Sequence, residues 1–154
     1  SYELLENRTL GMVEEVWYKS SFDNRDIQGW IVYPPNYNSD KEYPFLVENH
    51  GGPISNYGSR FSAEVQLFAA AGYIVFYPNP RGSTSYGEEF ANLLHHNYPA
   101  EDYLDVMDGV DFCIKKGIAN ENMLYVTGGS AGGSMTAWMI GKITDLIPQL
   151  LLSQ

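Results

Sequence analysis

Three apolar runs in this 154-residue chain end in the same way. "YPFLVENHGGP" (43–53), "GYIVFYPNPRG" (72–82) and "NMLYVTGGSAGG" (122–133) each carry a short, continuous apolar stretch into a loop containing glycine. A run of this length, stopped by glycine, fits a buried strand that delivers its C-terminal end to the surface. Helical segments separate the three runs. Over 63–71, Val65, Phe68 and Ala69 recur at helical spacing. Over 101–116, Tyr103, Met107, Val110 and Ile114 form an apolar stripe, which leaves Asp105, Asp108 and Asp111 expected to face water. A further helix is expected over 131–141. Strands alternating with helices make a mostly parallel α/β sheet, and right-handed crossovers put helices on both of its faces.

Ahead of these units, "VEEVWYKS" and "IQGWIVYP" alternate as two half-exposed strands, and the polar "SFDNRD" between them supplies a hairpin turn. The sheet therefore opens with an antiparallel N-terminal hairpin. No internal repeat or low-complexity stretch breaks the chain, so residues 1–154 read as one domain.

Composition narrows the function classes. Hydrophobic content of 44% with 18% charged residues is ordinary for a globular protein, and no segment approaches the roughly 20 apolar residues of a membrane span. A net charge of −10, without a lysine or arginine cluster, repels phosphate backbones, so neither nucleic acid nor membrane is expected as a partner. Cys113 is the single cysteine and reads as a small core residue. "SYELLENRTL" lacks the basic start and apolar stretch of a retained signal peptide, which favours the cytoplasm.

The third run carries the chemistry. Gly128-Gly129-Ser130-Ala131-Gly132 fits G-x-S-x-G between an expected strand, 123–127, and an expected helix, the strand, sharp turn and helix of a nucleophile elbow. Glycines flank the serine because the helix must fold back closely against the strand. The turn would aim the Ala131 amide at the space beside Ser130 Oγ, where negative charge develops in acyl transfer. Gly51 and Gly52, after His50 at the end of an earlier strand, present bare amides that complete an oxyanion hole.

"ENHGGP", "YPNPRGSTSYGEEF" and "VTGGSAGGSMTAWMIG", in this order and spacing, resemble the catalytic domain of the prolyl oligopeptidase family of serine peptidases, closest to its acylaminoacyl-peptidase and dipeptidyl-peptidase-like branch. The resemblance runs from about Glu15 to Lys142. It implies an α/β-hydrolase fold, Ser130 as nucleophile, oxyanion donors at Ala131 and in the 50–52 loop, cleavage of peptide or ester bonds, and no metal or organic cofactor. Alanine at 131 replaces the tyrosine or histidine common in the family and leaves only its amide in play.

The α/β-hydrolase order is Ser, then Asp, then His, on later loops. No histidine follows Ser130, and Asp145 comes too soon to lie beyond another strand. The chain thus reads as an incomplete α/β-hydrolase fold, with residues 1–10 a linker remnant and 143–154 an atypical tail. Weak, esterase-like activity on peptides or small esters is expected, with a non-catalytic pseudo-hydrolase or assembly module as the alternative. Substitute bases would be His50, His95 or His96. A loop-shaping role is favoured for His50, and surface or packing roles for His95 and His96, placed on a short helix. The 123–127 strand would become a sheet edge, to be covered by the apolar tail 146–152 or by a second copy in a homo-oligomer.

Overall fold

The computed structural model describes residues 6–144. Strands β1 (Val13–Lys19) and β2 (Asp26–Val32) form the N-terminal hairpin, with Lys19 opposite Asp26 at the turn and Val13 opposite Val32 at the open end. Next come β3 (Phe45–Asn49), α1 (Ala63–Ala70), β4 (Ile74–Asn79), the short α2 (Glu88–Asn92), α3 (Asp102–Lys115), β5 (Leu124–Gly128) and α4 (Ala131–Thr144). The strands form one sheet in the order β1-β2-β4-β3-β5. β2 runs antiparallel to both neighbours, while β4, β3 and β5 pair in parallel. This is the mostly parallel α/β-hydrolase sheet expected, with helices on both faces.

The faces are set by side-chain alternation. Ile27, Ile31, Phe45, Val47, Ile74 and Phe76 point to one side, where Val106, Val110 and Cys113 of α3 and Met135 and Met139 of α4 cover them. Trp30, Val32, Val75 and Tyr77 point to the other, against Val65 and Ala69 of α1. Cys113 is a fully buried core residue, and burial first, then Glu14, pushes its thiol up to about 12. β1 is half exposed as expected, but β2 is not: its apolar residues divide between the two cores, because β4 pairs with the edge that a free hairpin would leave open.

The largest correction falls on α3. Asp105 is fully buried rather than water-facing, and so is Asp102; Asp108 is half buried, and only Asp111 is exposed. Arg81, in the loop after β4, is the cause. Its backbone amide and Nε donate to Asp105 Oδ2, both at 2.8 Å, and Nη2 donates to Oδ1 at 2.8 Å. Nη2 also donates to Ser20 Oγ at 2.9 Å and to Asp23 Oδ1 at 3.2 Å, both in the hairpin turn, and the guanidinium lies 4.8 Å from the centre of the Phe22 ring. One buried cation thus ties β4, α3 and the β1–β2 turn together. A buried ion pair of this kind does little for net stability against an apolar substitute, but breaking it strands a charge.

β5 is one of the two edge strands among the described residues, with Leu124 39% and Tyr125 50% exposed. The suggested cover, 146–152, lies outside the described residues. So does the expected tail, apart from residues 143 and 144 at the end of α4, and the first half of the expected linker remnant.

Asp105→Ala, which leaves the Arg81 guanidinium buried without its main counter-charge, is expected to cost about 3–5 kcal/mol in urea unfolding. Asp111→Ala, on the exposed side of the same helix, should cost less than about 0.5 kcal/mol.

Candidate active site

The ends of β3 and β5 lie side by side in parallel register, Asn49 opposite Gly128. The chain leaves β5 through Gly129 and Ser130 and enters α4 at Ala131. Ser130 has φ 57°, a left-handed conformation that a side-chain-bearing residue adopts only when its surroundings enforce it. Its carbonyl accepts from the amides of Gly133, at 3.0 Å, and Ser134, at 3.2 Å, which ties the turn to the start of the helix.

Glycine is required here by contact. A methyl group on Gly132 would lie 2.0 Å from the carbonyl oxygen of Asn49, and one on Gly128 would lie 2.6 Å from the carbonyl oxygen of Gly132 and 2.8 Å from that of Asn49. The first turn of α4 therefore rests directly on the end of β3. That contact carries the helix N-terminus, with the Ala131 amide in its first turn, to the serine.

The loop after β3 meets the same point. The Cβ position of Gly51 lies 3.3 Å from Ser130 Cβ and 3.8 Å from Ser130 Oγ, so the glycine loop packs against the serine side chain. Gly52, at φ 128°, turns the chain away toward Ile54. Of the expected oxyanion donors, Gly51 and Ala131 lie beside Ser130, and Gly52 forms the turn that follows Gly51.

His50 is held by its own loop. Nδ1 lies 2.8 Å from the Gly51 carbonyl oxygen and Nε2 lies 2.9 Å from Ser83 Oγ, whose hydroxyl donates to the Pro80 carbonyl. Burial moves its pKa down. The imidazole thus cross-braces the two loops that follow β3 and β4, as the loop-shaping reading expects. His95 and His96 are not on a helix: α2 stops at Asn92, and both lie exposed in the turn after it, with ring centres 3.9 Å apart. Among the described residues no histidine hydrogen-bonds to Ser130 Oγ, and no cluster of three or more ligating side chains is poised to hold a metal.

Two carboxylates near the site were not among the sequence-predicted site residues. Glu48, 8% exposed on β3, looks toward α1, and burial first, then Glu64, raises its pKa while Tyr57 opposes the shift. Glu48 and Glu64 both line a cleft of about 520 Å³ that opens beside Gly51, Gly128 and Gly129. Asp102, at the start of α3, lies on the other side of the β3 end. Burial raises its carboxyl to about 6 despite the amide of Ala100, which donates to it at 2.6 Å. The spacing Asp102-x-x-Asp105 places both on one helix face and is the trace from which an inward acidic face could have been read.

A sequence model described as the prolyl oligopeptidase family matches residues 59–147. The chain belongs to the prolyl oligopeptidase family. The uncharacterized peptidase YuxL of Bacillus subtilis is 40% identical over 141 residues, 91% of this chain and 21% of that protein. Dipeptidyl-peptidase 5 of Schizosaccharomyces pombe is 35% identical over 132 residues, 83% of this chain and 19% of that protein. Among solved structures, the acylaminoacyl peptidase of Pyrococcus horikoshii superposes with a TM-score of 0.81 at 31% identity, covering 89% of this chain and 22% of that one. The chain spans about a fifth of the length of these family members.

Gly132→Ala is expected to cost about 2–3 kcal/mol in thermal unfolding, because the new methyl group must displace the Asn49 carbonyl. Gly129→Ala, whose methyl group would meet nothing within 4 Å, should change stability by less than about 1 kcal/mol.

Proposed function

We propose that this chain is the nucleophile-bearing part of a serine hydrolase that cleaves peptide or ester bonds. Ser130 Oγ attacks the substrate carbonyl carbon, and the Ala131 amide, with Gly51 or Gly52, stabilises the oxyanion that forms. The observation that carries this reading is the left-handed Ser130, exposed at a helix N-terminus with the Gly51 loop packed on its side chain. Fixed amides aimed at a developing oxyanion contribute strongly because they need no reorganisation during the reaction. Membership of a family with peptidase-named relatives supports the same class of chemistry.

Among the described residues no histidine bonds to Ser130 Oγ, and we propose that the 154-residue chain assayed by itself shows weak, esterase-like activity with proton removal left to solvent. Activated esters suit such a site: a phenolate leaves without protonation, whereas an amine does not. The acyl-enzyme forms as the Ser130 proton passes to water and p-nitrophenolate departs, and water then releases acetate. p-Nitrophenyl acetate hydrolysis is expected to fall about tenfold in Ser130→Ala, and a fluorophosphonate is expected to label the wild type and not the variant. Equal turnover in both, with no labelling, would favour a non-catalytic module.

We also infer that the open β5 edge pairs with a second copy of the chain. The exposure of Leu124 and Tyr125 at a strand whose one side is unpaired among the described residues supports this, since such edges recruit further strands. Light scattering is expected to return twice the chain mass, falling to the monomer in Tyr125→Lys; a monomeric wild type would overturn the pairing.

A further inference from the structure

Tyr98, in the loop between α2 and α3, is tied to the helix that carries Ser130. Its hydroxyl donates to the carbonyl oxygen of Ala131, in the first turn of α4. Residues 131 and 135 are i and i+4 partners, the two ends of one rung in the first turn of α4. A single hydroxyl from outside the helix therefore adds a second donor at the carbonyl end of that rung, a contact of the kind that sets where a helix bends.

The tether is anchored at its other end. Tyr98 packs against the core, and with Asn49, His50, Asp102 and Met135 it lines a small cleft of about 20 Å³. Asp102, at the N-terminus of α3, is itself held by the Ala100 amide two residues beyond Tyr98. The loop is thus fixed to α3 on one side and reaches α4 on the other.

We propose that Tyr98 is a positioning residue for Ser130. By donating to the Ala131 carbonyl, its hydroxyl fixes the orientation of residue 131, and with it the direction in which the Ala131 amide faces Ser130 Oγ. This rests on the reading of Ser130 as nucleophile and Ala131 as oxyanion donor. Its carbonyl and amide flank the same α-carbon, so pinning one restrains the other. Removing the hydroxyl does not orphan the Ala131 carbonyl, because the Met135 N–H remains its ordinary helix partner. The loss should therefore appear in turnover rather than in stability, since a misplacement of about 1 Å can cost on the order of a hundredfold in rate.

Tyr98→Phe, Tyr98→Leu, Ser130→Ala and the Tyr98→Phe/Ser130→Ala pair test this in the 154-residue chain, by p-nitrophenyl acetate kinetics, thermal melting and amide NMR. Tyr98→Phe is expected to lower kcat about three- to fivefold, less than Ser130→Ala does, with KM within about twofold and Tm within about 2 °C, and to displace the Ser130 and Ala131 amide signals. No further loss is expected in the Ser130→Ala background. Unchanged kcat in Tyr98→Phe, or a loss confined to Tyr98→Leu, would assign the residue to packing and overturn the proposal. So would a joint fall in Tm and rise in KM, or an equal fractional loss in the Ser130→Ala background. Equal activity of wild type and Ser130→Ala would remove the nucleophile reading instead. The tether would then be judged by the amide signals alone, and their staying in place in Tyr98→Phe would overturn it.

Discussion

Backbone resting on backbone is the constraint on which this site depends. Where α4 begins, Gly132 lies against the carbonyl of Asn49 with no room for a methyl group, and Gly128 is caught between the same carbonyl and that of Gly132. The contact brings the end of β3, the end of β5 and the start of α4 within one layer of atoms. The helix N-terminus and the glycine loop after β3 then have little choice but to converge on residue 130. The left-handed backbone of Ser130 follows, because the chain must reverse within two residues to lay α4 back on the sheet.

Around this apolar and backbone contact the fold places polar braces rather than further packing. Arg81 draws Asp105 inward and ties the hairpin turn to α3, while His50 links the loops after β3 and β4 through Ser83. Each brace joins segments that the sheet alone does not hold in register. The loops at the C-terminal ends of the strands are thereby fixed relative to one another. A site built from loops of different strands needs that rigidity, because hydrogen bonds to a developing charge weaken steeply with small displacements.

Much of this was legible in the order of residues. The three glycine-ended runs are β3, β4 and β5, the hairpin is antiparallel, and the helical stripes at 63–71 and 131–141 became α1 and α4. The elbow could be located because its glycines, its serine and its strand-to-helix context are contiguous in sequence. The inward face of α3 was misread for a different reason: Asp105 looks solvated in any pattern based on polarity, and its partner Arg81 lies 24 positions earlier. β2 was read as half exposed because alternation within a hairpin cannot reveal that β4, far along the chain, pairs with its other edge. His95 and His96 fell outside a helix because α2 ended after five residues, a boundary that no capping residue announced.

The sequence by itself determined the strand and helix order, the place of the sharp turn and the residue types able to occupy it, because these follow from periodicity and steric allowance within a few neighbouring residues. Tertiary structure alone decided which distant groups meet: Gly51 against Ser130, Arg81 against Asp105, Tyr98 against the first turn of α4, and His50 against Ser83 rather than the serine. Those pairings depend on crossover geometry and on desolvation, whose energies belong to the assembled sheet and its covering helices and have no counterpart in any local stretch of chain.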